Sequence, residues 1–232
     1  MPGIYFLSID EGGRIRRELA TKNLVRGYSV YGEPLVRVDN EEYRIWIPYR
    51  SKLAAFIIKG FRGDFIRPGS SVLYLGAAQG TTVSHVSDVI GNSGIVYAVE
   101  ISRVAMSELL KVSLKKKNIV PILADARRPE GYMNRVLQVD YLYCDVAQPN
   151  QAELFIDNAK YFLKVGGKGM IAIKARSIDV VADPARVFAR EREALRKGGF
   201  EILDQKQLEP FEKDHLMIYA EWKGNDQSNS GG

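Results

Sequence analysis

The stretch that decides the fold is "VLYLGAAQGTT", residues 72–82. A run of apolar, β-prone residues ends at Gly76, small residues follow, and a second glycine, Gly80, precedes two threonines that can open a helix. No lysine follows Gly80, so the stretch is not a P-loop, and it lacks the G-x-G-x-x-G fingerprint of dinucleotide sites. The pattern predicts a tight turn at the carboxyl end of a first parallel strand, where open α/β sheets bind their ligands.

Strands and helices alternate along the chain from this turn onward. Near-continuous apolar strands separated by amphipathic helices predict a parallel sheet that is buried on both faces. The seven predicted strands are "SVLYLG", "IVYAVE", "IVPILAD", "VDYLYCDV", "KGMIAIKA", "FEILDQKQLE" and "DHLMIYAEWK". The predicted helices are "TTVSHVSDVI", "SRVAMSELLKVSLKKK", "NQAELFIDNAKYFLK", which should stop at "VGG", and "DPARVFAREREALRKGG". The last two strands are consecutive, so we expect the class I methyltransferase arrangement: an α/β, Rossmann-like, seven-stranded sheet with an antiparallel C-terminal strand.

The two ends of the chain differ from this central pattern. Residues 1–50 contain short, aromatic-rich, β-like runs, which are "GIYFLSI", "LVRGY" and "LVRVDNEEYRIWIP". They predict a small N-terminal antiparallel β module. Residues 51–223 should form the methyltransferase domain, and the polar, glycine-rich residues 224–232 should be a disordered tail.

Composition excludes several classes of protein. The chain has 232 residues, one cysteine and two histidines, which excludes an internal disulfide framework and a cysteine-rich zinc site, and we expect no metal. No apolar run is long enough to span a membrane, and no signal peptide is recognisable, so we expect a cytoplasmic protein without a membrane partner. The formal net charge of +5 is compatible with a nucleic-acid partner.

Acidic residues end the next two strands. Glu100 closes the second strand, where a carboxylate can accept hydrogen bonds from both hydroxyls of a ribose. Asp125 closes the third strand, where a carboxylate can meet an adenine amino group. A nucleoside without a phosphate fits the Gly76 turn and these two acids better than NAD does. The candidate cofactor is S-adenosylmethionine.

Longer blocks of the sequence resemble fibrillarin, the 2′-O-methyltransferase of box C/D RNA–protein particles. They cover nearly the whole chain and are "RSKLAA", "VLYLGAAQGTTVSHVSDVIG", "GIVYAVE", "DAR", "DVAQP", "GGKGMIAIKA" and "LEPFEKDHLMI". The chain shows no Gly/Arg-rich nucleolar extension of the eukaryotic kind, so it resembles the shorter archaeal form. The resemblance implies an S-adenosylmethionine-dependent enzyme that methylates ribose in rRNA and possible tRNA targets.

The resemblance also implies a set of cofactor contacts. Thr81 and Thr82 would lie beside the methionine end, Glu100 would hold the ribose, and residues 145–148 would line the side where the methyl group is delivered. Ile101 would pack near the adenine. The full predicted set is Gly76, Ala78, Thr81, Thr82, Glu100, Ile101, Asp125, Ala126, Asp145, Val146, Ala147 and Gln148.

Four residues are predicted to act in catalysis. A ribose 2′-hydroxyl is a poor nucleophile, so it needs a base or cations that stabilise the developing alkoxide. The resemblance places Lys52, Asp145, Lys174 and His215 near it. Lys174 would contact the 2′-hydroxyl, Asp145 would accept or relay the proton, and Lys52 and His215 would orient the ribose and its phosphate. The sequence leaves open whether Asp145 or a lysine is the formal base.

Two alternatives and a set of partners complete the expectations. A methyltransferase acting on nitrogen is disfavoured, because "DVAQP" replaces the [ND]-P-P-[YF] loop that often accompanies such targets. A non-catalytic subunit is disfavoured by the presence of Glu100, Asp145 and Lys174. The resemblance implies a box C/D guide RNA, rRNA or tRNA substrate, a Nop-domain scaffold protein and a kink-turn-binding protein of the ribosomal type.

Overall fold

Residues 1–63 and 66–224 are described by the computed structural model, and within them the chain forms two β-sheets and six α-helices. The strands are β1 (Ile4–Glu11), β2 (Arg14–Lys22), β3 (Leu35–Val38), β4 (Glu41–Ile45), β5 (Ser71–Leu75), β6 (Ile95–Glu100), β7 (Ile119–Leu123), β8 (Val139–Cys144), β9 (Leu163–Lys174), β10 (Phe200–Gln207) and β11 (His215–Trp222). The helices are α1 (Lys52–Ile58), α2 (Thr81–Ile90), α3 (Arg103–Lys115), α4 (Gln151–Phe162), α5 (Ala175–Ile178) and α6 (Pro184–Lys197).

The larger sheet has seven strands in the order β10-β11-β9-β8-β5-β6-β7. The five strands from β9 to β7 are mutually parallel, and β11 runs antiparallel to both β9 and β10. This confirms the predicted class I methyltransferase arrangement with its antiparallel C-terminal strand. Because β5 lies between β6 and β8, the strand order reverses there, and the loop after β5 borders a crevice at the carboxyl edge.

Apolar residues cover both faces of this sheet. Along β5, Val72 and Tyr74 pack into the core beneath α1, α2 and α3, whereas Leu73 and Leu75 pack into the core beneath α4 and α6. Successive side chains of a strand point to opposite faces, so a strand between two helical layers must be apolar at every position. Burial of each valine or leucine side chain stabilises the fold by about 1.5–3 kcal/mol.

The smaller sheet lies in the first fifty residues, in the order β1-β2-β4-β3. The prediction that "LVRGY" is a strand is wrong, since β2 covers Arg14–Lys22 and residues 24–28 form a loop. Side chains satisfy the backbone of that loop instead of a neighbouring strand. The Gly27 amide donates to Glu42 Oε1 at 2.7 Å, and Asn23 Nδ2 donates to the same oxygen at 2.8 Å.

A buried ionic network joins the smaller sheet to α2. Arg44 of β4, which is fully buried, donates to Glu33 at 2.6 Å, to Asp88 of α2 at 2.7 Å and to Ser84 of α2 at 2.8 Å. Lys116 donates to the second oxygen of Asp88. Burial opposes ionisation of Glu33, but Arg44 and nearby amides outweigh it and lower its pKa. The smaller sheet is therefore anchored by charges that compensate one another away from water.

His85 of α2 completes this joint. Its Nδ1 lies 2.8 Å from the Thr21 hydroxyl and its Nε2 lies 2.8 Å from the Tyr31 hydroxyl, and its ring stacks on Trp46 at 4.8 Å. Burial, reinforced by the positive charges of Arg44 and Lys116, holds the pKa of His85 well below its ordinary value. The imidazole is therefore a neutral, structural group.

Two predicted boundaries change in the structure. Helix α4 ends at Phe162 and β9 begins at Leu163, so "VGG" is part of the strand rather than the stop after a helix. Gly166, with a positive φ of 79°, lies in a register shift of the β8–β9 ladder, between the pairs Val139–Leu163 and Tyr141–Lys168. The predicted disordered tail, apart from Gly224, lies outside the described residues.

Candidate active site

The turn after β5 brings two loops into direct backbone contact. Gly76 has a φ of 79°, and a Cβ at this position would lie 2.5 Å from the Asp145 carbonyl oxygen. Only glycine avoids that overlap and adopts this φ without strain. The Asp145 amide donates to the Leu75 carbonyl at 3.0 Å, which fixes the start of the loop after β8. The sequence "LGAAQG" thus forms one wall of a crevice, and the loop after β8 forms the opposite wall.

Glu100 lies at the end of β6 and is 8% exposed. Its Oε2 accepts from the Ala78 amide at 2.8 Å and its Oε1 accepts from the Ser102 amide at 2.7 Å. Each carboxylate oxygen keeps a further lone pair for another donor. Two backbone amides therefore orient this acid, and Ile101 beside it is exposed.

Asp125 follows β7 and is held by Arg127. The Arg127 Nε lies 3.0 Å from both carboxylate oxygens, and its Nη2 lies 2.7 Å from Oδ2. Hydrogen bonding from Arg127 lowers the pKa of Asp125, so the carboxyl is ionised at neutral pH. The neighbouring Ala126 carbonyl accepts from the buried Asn158 amide at 2.8 Å. Asp125 is thus held within the turn by Arg127, and Ala126 is held by a residue of α4.

These strand ends enclose a cavity of about 280 Å³. Ten of the twelve predicted cofactor contacts line it, and they are Gly76, Ala78, Glu100, Ile101, Asp125, Ala126, Asp145, Val146, Ala147 and Gln148. Val99, Ala124, Arg127 and Leu154 complete the lining. The cavity therefore combines an apolar floor with carboxylates at successive strand ends, as a nucleoside with unpaired hydroxyl and amino donors requires.

Thr81 and Thr82 are not among the residues that line this cavity. They open α2 after Gly80, whose φ of 93° sets the turn. Thr82 is buried, and its hydroxyl donates to the Ser51 hydroxyl at 3.0 Å. The structure thus gives Thr82 a link to the start of α1, and its contact with a cofactor stays a prediction.

Lys52 and Asp145 form an ion pair, with Nζ 3.0 Å from both Oδ1 and Oδ2. The two side chains are 20% and 23% exposed, so the pair borders solvent at the crevice. Lys52 is the first residue of α1, and the Ser51 hydroxyl caps this helix by accepting from the Ala54 amide at 3.3 Å. The cap fixes the first turn of α1, from which Lys52 reaches the loop after β8.

Lys174 and His215 lie opposite each other in the sheet. Lys174 ends β9, His215 begins β11, and the two residues are direct partners in the antiparallel ladder. His215 Nδ1 lies 2.7 Å from the Lys213 carbonyl, which orients the ring. Within the described residues, Lys174 Nζ has no hydrogen-bond or ion-pair partner. The structure thus brings all four predicted catalytic residues to the carboxyl edge of the sheet.

The arrangement can bind a polar substrate and move a proton. The Asp145 carboxylate is a proton acceptor, and the ammonium groups of Lys52 and Lys174 at the same sheet edge can stabilise negative charge on an oxygen. Among residues 1–63 and 66–224 no cluster of three His, Cys, Asp or Glu side chains could hold a metal ion. In the same part of the chain no helix has the length and apolarity to cross a membrane.

Three residues that shape the site were missed by the sequence reasoning. Arg127 was assigned no role from the sequence, although its spacing of two from Asp125 allows a local ion pair. Ser51 carried the signal of a helix cap before "KLAA". Gln151 carried no signal, because a polar residue at the start of an amphipathic helix usually faces solvent.

Comparison of the sequence with known proteins finds relatives of a single family. The family model described as Fibrillarin matches residues 1–224. A fibrillarin-like rRNA/tRNA 2′-O-methyltransferase of Methanocaldococcus jannaschii is 54% identical over 216 residues, which cover 93% of this chain and 93% of that protein.

Solved structures agree with the sequence comparison. Aeropyrum pernix fibrillarin, crystallised in complex with natively bound S-adenosyl-L-methionine, matches with a TM-score of 0.87 and 50% identity, covering 94% of each chain. A chain of a fibrillarin/Nop5p complex matches with a TM-score of 0.81 and 44% identity, covering 88% of this chain and 94% of that chain.

Proposed function

Since this chain belongs to the fibrillarin family, we propose that it transfers the methyl group of S-adenosylmethionine to ribose 2′-hydroxyls of rRNA and tRNA. The observation that carries this function is the junction of two features at one sheet edge. The cavity between Glu100 and Asp145 adjoins the Lys52–Asp145 ion pair. A cofactor in the cavity and a ribose at the ion pair would therefore meet across Asp145.

The described residues fit the cofactor. Gly76 lines the cavity without a side chain, Glu100 has lone pairs free for two ribose hydroxyls, and Asp125 is ionised and can accept from an adenine amino group. When bound, S-adenosylmethionine supplies a methyl group already activated by its sulfonium. The protein therefore has to align the nucleophile and manage its proton.

We assign that work to the residues at the edge of β8, β9 and β11. The Lys174 ammonium stabilises the negative charge that develops on the 2′-oxygen, and Asp145 accepts or relays the proton. Lys52 holds the Asp145 carboxylate in place, and with His215 it orients the ribose and its phosphate. In this proposal residues 51–223 form the methyltransferase domain, and residues 1–50 form a β module anchored on α2.

The partners are proposed from the family. Nop5p accompanies fibrillarin in a solved complex, which supports a Nop-domain scaffold protein as a partner of this chain. We further propose a box C/D guide RNA and a kink-turn-binding protein of the ribosomal type. The relatives named above are archaeal, so we place this particle in the cytoplasm.

Replacement of Lys174 tests the function and the catalytic assignment together. In a particle assembled with guide RNA and partner proteins, Lys174→Ala should lower the rate of labelled methyl transfer about 100-fold, because charge on the 2′-oxygen loses its stabilising cation. RNA and cofactor affinities should change little. Lys164→Ala is the matched control, since Lys164 lies on the same strand and pairs with Asp140 away from the site.

Two outcomes would contradict the proposal. A Lys174→Ala particle with near-normal turnover at saturating cofactor would remove Lys174 from catalysis. A wild-type particle that binds cofactor but transfers no methyl group to guide-matched ribose would point instead to a non-catalytic subunit.

A further inference from the structure

Gln151, the first residue of α4, has a buried amide that connects the loop after β8 to the end of β9. Its side chain is fully buried. Its Nε2 donates to the Val146 carbonyl and, at 3.1 Å, to the Ala172 carbonyl. Its Oε1 accepts from the Lys174 backbone amide at 2.9 Å. One side chain therefore holds a residue that lines the cofactor cavity and the residue proposed to contact the 2′-hydroxyl.

The chemistry of these contacts calls for a primary amide. The amide nitrogen carries two hydrogens, and each hydrogen has one carbonyl partner. The amide oxygen only accepts, and it has one N–H partner. In the flipped orientation the oxygen would face two carbonyls and the nitrogen would face an N–H group. A carboxylate cannot donate to the two carbonyls, and an apolar side chain would deprive three buried or partly buried backbone groups of this partner.

Gln151 acts where the regular ladder between the strands ends. Strand β8 pairs with β9 as far as Cys144 and Ile171. Beyond that point the chain after β8 turns into the cavity wall, while β9 continues beside β11 to Lys174. The Gln151 amide replaces the missing ladder bonds across this gap. The separation between the wall at Val146 and the end of β9 is therefore set by one side chain.

We propose that Gln151 is a positioning residue that fixes Lys174 relative to the cofactor cavity. The inference rests on the proposed function, because it concerns the position of Lys174 in that reaction and assigns no chemistry to Gln151 itself. Loss of the amide frees the Lys174 backbone and the Val146 wall to move apart. A misplacement of about 1 Å between a nucleophile and its partner costs about 100-fold in rate, so an effect on turnover is expected without any contact to substrate.

The chain offers a matched control for a buried amide. Asn118 is also buried, and its Nδ2 donates to the Ser87 and Gly91 carbonyls at 2.9 Å each, while its Oδ1 accepts from the Ser87 hydroxyl at 2.6 Å. It precedes β7 and thus lies at the amino edge of the sheet, away from the cavity. Asn118→Leu removes three hydrogen bonds, as Gln151→Leu does, but touches no proposed site residue.

The experiment compares these two variants in the assembled particle, with cofactor affinity, turnover at saturating cofactor and unfolding free energy measured for each. Both should lower the unfolding free energy, whereas only Gln151→Leu should lower turnover, by about 10-fold or more.

In a Lys174→Ala background, Gln151→Leu should lower turnover less than about twofold further, because the two changes act through one interaction. Gln151→Glu keeps the acceptor for the Lys174 amide but faces two carbonyls, so it should weaken cofactor binding more than it slows turnover.

The outcomes separate this inference from the proposed function. Equal turnover losses from Gln151→Leu with and without Lys174, or unchanged turnover and cofactor affinity in Gln151→Glu, would overturn the positioning role. If Gln151→Leu does not fold, Gln151→Glu alone decides by its split between affinity and turnover. Absence of methyl transfer by the wild-type particle would instead refute the proposed function.

Discussion

At the scale of single residues, the site depends on backbone contact that one glycine permits. The loops after β5 and β8 touch at Gly76 and Asp145, so the position of the carboxylate is set by the backbone beneath it. The ion pair with Lys52 then holds the side chain. Gly76 therefore controls the geometry of Asp145 without having any chemistry of its own.

Gly76→Ala tests this contact, and Gly166→Ala is its control. Both glycines have a φ of 79°, but a Cβ at Gly166 would meet no atom within 4 Å. Both variants should lose about 1–2 kcal/mol of unfolding free energy from backbone strain. Gly76→Ala should lose about 1–3 kcal/mol more, because its methyl group displaces the Asp145 carbonyl, and it should also weaken cofactor binding. Denaturation and calorimetry of both variants, each with and without cofactor, measure these differences. Equal losses of unfolding free energy in the two variants would show that the Asp145 carbonyl can move aside without cost.

The same scale shows what the sequence could predict. Glu100, Asp125, Asp145 and Lys174 were placed correctly at strand ends because an alternation of buried strands and helices dictates which residues reach one edge. The Lys52–Asp145 pair and the three bonds of Gln151 could not be derived in that way. They join residues far apart in sequence, or face inward where periodicity indicates solvent, and only tertiary packing decides them.

At the scale of elements, the smaller sheet is joined to α2 through buried polar groups rather than an apolar face alone. The wrong assignment of "LVRGY" has the same origin. Its β-prone residues predict a strand. In the structure, the buried Glu42 carboxylate accepts from a loop amide, so this segment does not need the backbone hydrogen bonds of a neighbouring strand. Strand propensity is a weak guide wherever side chains satisfy the backbone.

This joint predicts a dependence of stability on pH. Neutral, buried His85 has a pKa well below 6.5 in the folded protein, whereas in the unfolded chain it protonates below about pH 6.5. The unfolded state then binds more protons, so the unfolding free energy falls as pH falls. We expect about 1 kcal/mol to be lost between about pH 6.5 and about pH 5.5, and to be fully present above that window.

Urea denaturation at several pH values measures this loss. His85→Gln removes the titrating group and should flatten the dependence in this window, whatever its effect on absolute stability. His215→Gln retains His85 and should keep the dependence. A His85→Gln chain that keeps the wild-type slope between about pH 5.5 and about pH 6.5 would assign the effect to other groups.

At the scale of the whole molecule, the charge is too scattered to select an RNA site. The excess of Lys and Arg over Asp and Glu is only 33 against 28. Several exposed cations are already paired, as in Lys164–Asp140, Lys223–Glu201 and Arg176–Asp214. Such a surface gives weak, salt-sensitive contact with phosphates. The sequence also carries no RRM aromatic motif and no zinc knuckle that would read bases directly.

A ribose methyltransferase must nevertheless act at chosen nucleotides, so the choice has to come from partners. We therefore expect the isolated chain to bind S-adenosylmethionine, since the cavity is formed by this chain alone, but to methylate RNA slowly and at no preferred position. Addition of a box C/D guide RNA, a Nop-domain scaffold and a kink-turn-binding protein should direct labelled methyl groups to one nucleotide set by guide pairing. Shifting the guide sequence should shift that nucleotide, and a Lys174→Ala particle should methylate either nucleotide about 100-fold more slowly. Efficient methylation of a single nucleotide by the isolated chain would mean that specificity resides in its own surface.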